Sequence, residues 1–225
     1  AAGFIGGVAL LGNQLGDTAT AFLNKDRIVT VKGLSEKEVK ATHVIWPLSF
    51  TEMGNELAAA YDALEEKQNL VLKFLKDNGI DESEITLASP KVQDTLANSY
   101  DGRTRPYRYI LTQVVTVSTD KVDTIRKLSV TQRELLKKGV ALSSDYSYMT
   151  AYSFTGLNEI KPEMIESATK NAKAAAQKFA DDSGSKLGKI RRANQGVFTI
   201  TDRDENTPFI KNVRVVTTVE YFLND

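Results

Sequence analysis

Val44-Ile45-Trp46-Pro47-Leu48-Ser49-Phe50, followed by the long segment from Thr51 to Gly79, decides the fold class. Val44, Trp46, Leu48 and Phe50 share one parity, the period-two signature of a strand with one buried face. Pro47 has no N–H to donate, which puts this strand at a sheet edge or a bulge. The pattern then changes to a helical period. Thr51 is a candidate N-cap; Met53, Leu57, Ala60, Leu64, Val71 and Leu75 form an inward stripe; Gly79 supplies the stop.

Working outward, the same alternation of short strands and long helices covers the chain from Arg27. Upstream, Val29 and Val31 alternate before Gly33, read as a turn glycine. Downstream, Ile85 and Leu87 begin a third strand, and Tyr109, Leu111, Val115 and Val117 mark a fourth. Between these two lies an exposed hairpin loop, Asn98 to Pro106, which carries Arg103 and Arg105. A second helix starts near Asp120, turns Val122, Ile125, Leu128 and Leu135 inward and ends at Gly139. A strand through Val140 and Leu142 extends with Tyr146, Tyr148, Tyr152 and Phe154 on one parity. The third helix has Pro162 near N1, an inward stripe of Ile165, Ala168, Ala172, Ala175 and Phe179, and a stop at Ser183-Gly184. Alanine on that stripe lets the helix approach a sheet closely. Two strands close the chain, near Val197 to Thr201 and through Val213, Val215, Val219 and Tyr221, with the acidic turn Asp202 to Pro208 between them. Three long helices alternating with strands make an α+β fold. No linker or composition break divides residues 27–225, so they are read as one α+β domain with room for two pseudo-equivalent lobes.

Composition narrows the chemistry. A 225-residue chain with 41% hydrophobic and 26% charged residues is long enough and apolar enough to bury a core, which rules out extended disorder. Lys plus Arg and Asp plus Glu each number 29, so no global charge draws the chain to nucleic acid. The absence of cysteine excludes disulfides, thiolate nucleophiles and Fe–S clusters. The single histidine, His43, shares parity with Ala41 and Ile45 and reads as a strand residue with a satisfied ring. There is no Gly-x-Ser-x-Gly elbow, Walker loop or Rossmann fingerprint. An enzyme would have to work with carboxylates, lysines or tyrosines in no recognisable spacing. No catalytic, cofactor-binding or metal-binding residue is therefore assigned, and no cofactor is expected.

Three clusters carry functional alternatives. Asp202, Asp204, Glu205 and Asn206 offer oxygen ligands but lack the glycine and distal glutamate of an EF-hand, so they read as a solvated turn. Lys186, Lys189, Arg191 and Arg192 form the densest basic group; they either meet the negative end of the preceding helix dipole or contact an anionic lipid or partner. Tyr146, Tyr148, Tyr152 and Phe154 are core if both sheet faces are covered and a subunit interface if one is open.

Residues 1–12 are uncharged and carry four glycines, a membrane-type composition. Twelve helical residues cover only about 18 Å, too little to span a bilayer. The segment reads as the remainder of a signal peptide or signal anchor, so residues 1–26 are taken as an anchor remnant and linker. Cleavage after Ala19-Thr20-Ala21 and a buried N-terminal helix are the alternatives; an uncleaved inner-membrane anchor is preferred.

Arg27-Ile28-Val29-Thr30-Val31-Lys32-Gly33 before the Val44 strand, Gly79-Ile80 with Glu84-Ile85, and Ala168, Ala172 and Ala176 leading to Ser183-Gly184 and Leu187-Gly188 together resemble the SIMPL-domain family. That family includes YggE-like periplasmic oxidative stress defence proteins and a periplasmic immunogenic antigen. The resemblance runs from about Arg27 to Asp202 and on towards the C-terminus. It implies an α+β fold of antiparallel-rich sheets, export to the periplasm and self-assembly, because a family member forms a channel-like ring of many subunits. It supplies no catalytic residues. The expected protein is non-enzymatic, tethered in the inner membrane of a bacterial envelope, and homo-oligomeric, with its SIMPL domain in the periplasm. Without cysteine, any part it plays in envelope or oxidative stress is indirect. The alternative is a periplasmic small-ligand or polypeptide-binding module, secreted after signal cleavage if the leader is removed.

Overall fold

The computed structural model describes residues 27–97, 106–143 and 145–224. The expected leader and anchor, and Arg103 and Arg105 of the hairpin loop, lie outside the described residues. The chain divides into two compact units, one of residues 40–155 with 202–211, the other of the described residues before 40 with 156–201 and 212–224. The strands pair antiparallel wherever their register is defined, and the fold is α+β.

The first unit is built on β2 (His43–Gly54) and β5 (Tyr109–Thr119), paired along their full length with Trp46 opposite Val117, Leu48 opposite Val115 and Phe50 opposite Gln113. β3 (Ile85–Leu87) and β4 (Lys91–Asp94) add successively to the other side of β5, and β6 (Ala151–Ser153) adds to β2. The even residues of β2 and the odd residues of β5 face α1 (Leu57–Asp77), α2 (Val122–Thr131) and α3 (Arg133–Lys137). That alternation is why the strand pattern was readable. α1 begins at Leu57, not near Thr51, because Thr51 to Gly54 stay in the ladder opposite Thr112 to Tyr109; Met53 is thus an exposed strand residue. The expected second helix is broken at Gln132 into α2 and α3. Within the apolar layer Gln113 is buried, and its Nε2 donates to the Ala88 carbonyl at 2.8 Å, tethering the crossing between β3 and β4.

The second unit pairs β9 (Ile210–Asn224) with β1 (Ile28–Lys40) on one side and β7 (Lys186–Gln195) on the other, while β8 (Thr199–Asp202) also pairs with β9. One helix, α4 (Leu157–Asp182), covers it. The connectivity repeats the first unit: a helix, two strands that both pair with one long strand, then that long strand, with the opening strand supplied from the N-terminal end of the chain. Gly33 is not at a turn. It lies inside β1, where the α4 backbone occupies the space a Cβ would fill. The buried row of α4 is Met164, Ala168, Ala172, Ala176 and Ala180, and the expected inward Phe179 is exposed. The contact follows the i±4 row, which is inclined about 26° to a helix axis, so towards the C-terminal end it has turned away from Phe179. Pro162 is inside α4, which starts at Leu157.

The helices stop as expected. Gly79, Gly139 and Gly184 have positive φ, and each following residue returns its N–H to a carbonyl five positions back: Ile80 to Leu75, Val140 to Leu135 and Ser185 to Ala180, at 2.9–3.1 Å. This is the Schellman cap, and the pairs Leu75–Ile80 and Leu135–Val140 are buried with it.

Candidate functional site

Among the described residues, the outer edge of β2 is covered at two places, by β6 opposite His43 to Ile45 and by an isolated bridge of Leu142 to Phe50. The strand expected from Val140 through Phe154 does not form. After Ser143 the chain leaves the edge, makes a 3₁₀ turn at Tyr146–Tyr148 and returns at Ala151. Pro47 gives the physical reason. The Ser49 carbonyl accepts from the Ser143 N–H at 2.7 Å on the outer side, and period two turns the Pro47 backbone to that same side. A strand continuing past Ser143 would meet a nitrogen with nothing to donate.

The detour leaves a groove of about 390 Å³ between the β2 edge and the loop. Trp46, Leu48, Tyr148 and Tyr152 form its apolar wall, with Met149 and Pro208 at the rim. Ser49, Gln132, Ser143 and Asp145 supply its polar groups, and none of the described lining residues is basic. Ser49 is only 1% exposed, and its Oγ has no hydrogen-bond partner. Asp145 caps the 3₁₀ turn, accepting from the Ser147 N–H at 2.9 Å. The bonds from Ser147 hold its carboxyl below the usual carboxylate range, so it is an anion at neutral pH.

The expected aromatic row is thus dispersed. Tyr148 and Tyr152 line the groove, Tyr146 projects into solvent at 87% exposure, and Phe154 lies half-buried beyond β6. Tyr152 packs on the core and meets Phe209 edge-on, with centroids 6.2 Å apart; burial pushes its hydroxyl pKa up. Phe209 in turn carries the Arg126 guanidinium 3.6 Å from its ring centroid, a cation–π contact that holds the 202–211 segment against α2.

The other expected clusters resolve into structural parts. Lys186, Lys189, Arg191 and Arg192 do not gather at the helix end; they are exposed along β7, where Arg191 approaches Glu220 at 3.9 Å. In the acidic turn, Asp204 accepts from the backbone N–H groups of Asn206 and Thr207 at 2.9 and 2.8 Å, and Asp202 pairs with Lys211. Among the described residues no group of three or more His, Asp or Glu side chains could hold a metal ion. His43 bonds Asp120 Oδ1 through Nδ1 at 2.7 Å and Ser118 Oγ through Nε2 at 3.0 Å. This is an Asp–His–Ser sequence of contacts, but the Asp120 side chain is 86% exposed. A catalytic dyad needs its charges in a preorganised, water-excluded site; here they lie in solvent and join β2 to the end of β5.

Ser49, Gln132, Asp145, Met149 and Pro208 were not singled out from sequence. The one signal for them was Pro47, a proline inside a strand pattern.

No curated protein matches the chain. The family model described as SIMPL, a protein of unknown function (DUF541), matches residues 29–220, and so takes in both units. With its helices, sheets and nearly all its described residues inside that match, the chain belongs to the SIMPL family.

Proposed function

We propose that this SIMPL-family protein is a non-enzymatic protein of the bacterial envelope that works as a homo-oligomer, its folded domain in the periplasm and its N-terminal segment in the inner membrane. The observation that carries self-assembly is the loop over the β2 edge, where Tyr146 and Met149 stand 87% and 62% exposed. Large apolar side chains held in solvent beside an open strand edge favour a protein partner. The family resemblance supports a second copy as that partner. The uncharged opening of the chain supports the tether, and the lack of cysteine supports an indirect part in stress tolerance.

Light scattering of the full chain in mild detergent tests this reading. The wild type is expected to have a multiple of the chain mass, and Tyr146→Ala with Met149→Ala to give smaller, folded species. Loss of a central aromatic contact shifts assembly by more than about tenfold. An unchanged mass for the double variant, or a monomeric wild type, overturns it. Removing the residues before Asp17 is expected to move the protein from the membrane to the soluble fraction.

A second reading, a small-ligand-binding module, is favoured by one observation, the groove of about 390 Å³ whose lining includes Trp46, Tyr148 and Tyr152. Titration with small aromatic molecules tests it: a saturable change in the emission of Trp46, the one tryptophan of the chain, is expected, and no change overturns the reading.

A further inference from the structure

Arg27, through which the N-terminal segment enters the second unit, is fixed by two bonds. Its carbonyl accepts from the Leu223 N–H at 2.9 Å, and its guanidinium donates to Ser185 Oγ at 2.9 Å. Leu223 is in turn paired with Leu187. At the usual spacing of strands, the entry point is therefore about 10 Å from the start of β7. The last turn of α4 ends at the same place, since Ser185 returns its N–H to the Ala180 carbonyl at 2.9 Å.

The surface around this entry point is basic and partly apolar. Among the described residues β7 pairs with β9 alone, and it carries Lys186, Lys189, Arg191 and Arg192, all exposed, and no acid. Register breaks between Leu187 and Ile190 and between Ile190 and Arg192 disturb its ladder, which with the lysines suits an edge that does not take up another strand. Ile190 is 49% exposed on this strand, and Phe179, in the last turn of α4, is 60% exposed. The neighbouring acids are engaged: Asp181 accepts from Gln177 at 2.8 Å, Asp182 from Lys178 at 2.7 Å, and Glu220 lies 3.9 Å from Arg191. Exposed cations with apolar side chains among them match a bilayer surface, whose headgroups supply negative charge and whose interface takes up apolar groups.

Resting on the tether proposed above, we propose that this end of the unit lies on the membrane that holds the N-terminal segment. Lys186, Lys189, Arg191 and Arg192 meet anionic phospholipid headgroups, and Phe179 and Ile190 enter the interface. Attraction to the headgroups fades within about 8 Å at physiological ionic strength, so the patch orients a domain that is already tethered and does not hold it alone.

The chain has no cysteine, so one introduced cysteine takes a label by itself. Ile190→Cys, and as control Lys161→Cys, about 27 Å along α4 from Phe179, are made in the full chain and labelled with a fluorophore. Each is bound to vesicles of phosphatidylcholine, alone or mixed with phosphatidylglycerol, that carry a nitroxide quencher on their headgroups. Quenching of the Ile190→Cys label is expected to be at least about fivefold stronger on the anionic vesicles, the worth of one basic residue at such a surface. It is expected to fall to the neutral-vesicle level in about 1 M salt, where screening acts within about 3 Å. Replacing Lys186, Lys189, Arg191 and Arg192 by Gln is expected to erase the difference between the vesicles. Equal quenching on both kinds of vesicle, or quenching as strong for Lys161→Cys, overturns the contact while flotation with the vesicles leaves the tether standing. A chain that floats with neither vesicle overturns both. Comparing the two vesicles needs no charge variant, so misfolding of the Gln variant cannot obscure it.

Discussion

A Cβ on Gly33 would stand 1.8 Å from the carbonyl oxygen of Ala168 and 2.5 Å from the amide nitrogen of Ala172. β1 and α4 meet there backbone to backbone, which is possible only because the strand offers glycine and the helix offers alanine. The same juxtaposition explains why this unit has a small-residue helix row while the other is packed with leucine, phenylalanine and tryptophan.

Gly33→Ala is therefore expected to be among the most destabilising single-methyl changes in the chain. Overpacking a core costs roughly 1–3 kcal/mol, and the upper part of that range applies because backbone atoms cannot rotate aside. Urea unfolding checks this. A wild-type midpoint for Gly33→Ala would mean that strand and helix can separate freely.

Glu84 links acid pH to stability. Burial pushes its carboxyl up, but the Thr119 hydroxyl at 2.5 Å, the Asp81 N–H at 2.8 Å and the Lys121 ammonium at 2.9 Å outweigh this and hold its pKa at about 2, against an ordinary 4.5. A carboxyl depressed on folding contributes stability above its unfolded pKa and loses it as pH falls through its folded pKa. The unit is thus expected to lose stability between pH about 4.5 and about 2. Solvent screening limits the loss to about 1 kcal/mol. Denaturant unfolding at a series of pH values should show this slope in the wild type and a shallower one in Glu84→Gln. Parallel slopes would remove Glu84 from the account.

The His43 network is expected to be chemically inert. A fluorophosphonate that labels activated serines should leave Ser118 unmodified, and His43→Ala should change neither oligomer mass nor secondary structure, because Asp120 lies in water and the charges are screened. Stoichiometric labelling of Ser118 that is abolished by His43→Ala would reverse this assignment.

The fold class was legible in the sequence because one-sided burial writes itself as period. Val44, Trp46, Leu48 and Phe50 alternate since helices cover one face of their sheet, and Gly79, Gly139 and Gly184 sit where a left-handed residue ends a helix. Pro47 marks the sheet edge in the sequence because its nitrogen has no hydrogen to donate. What stayed hidden depends on partners distant in sequence. Gly33 looks like a turn until α4, more than a hundred residues on, is laid across it. β7 is missed because exposed basic residues on an open strand carry no periodic mark.

The candidate site divides along the same line. The sequence by itself determined an α+β fold without thiol chemistry and with one strand interrupted by proline, because those properties rest on composition and local period; its SIMPL membership rests on the family pattern matched over residues 29–220. Only the tertiary structure decided that the interrupted edge becomes a groove and that Tyr148 and Tyr152 line it while Tyr146 does not. Those facts depend on where a loop goes once it can no longer pair with Pro47, and that path is set by packing across the whole unit.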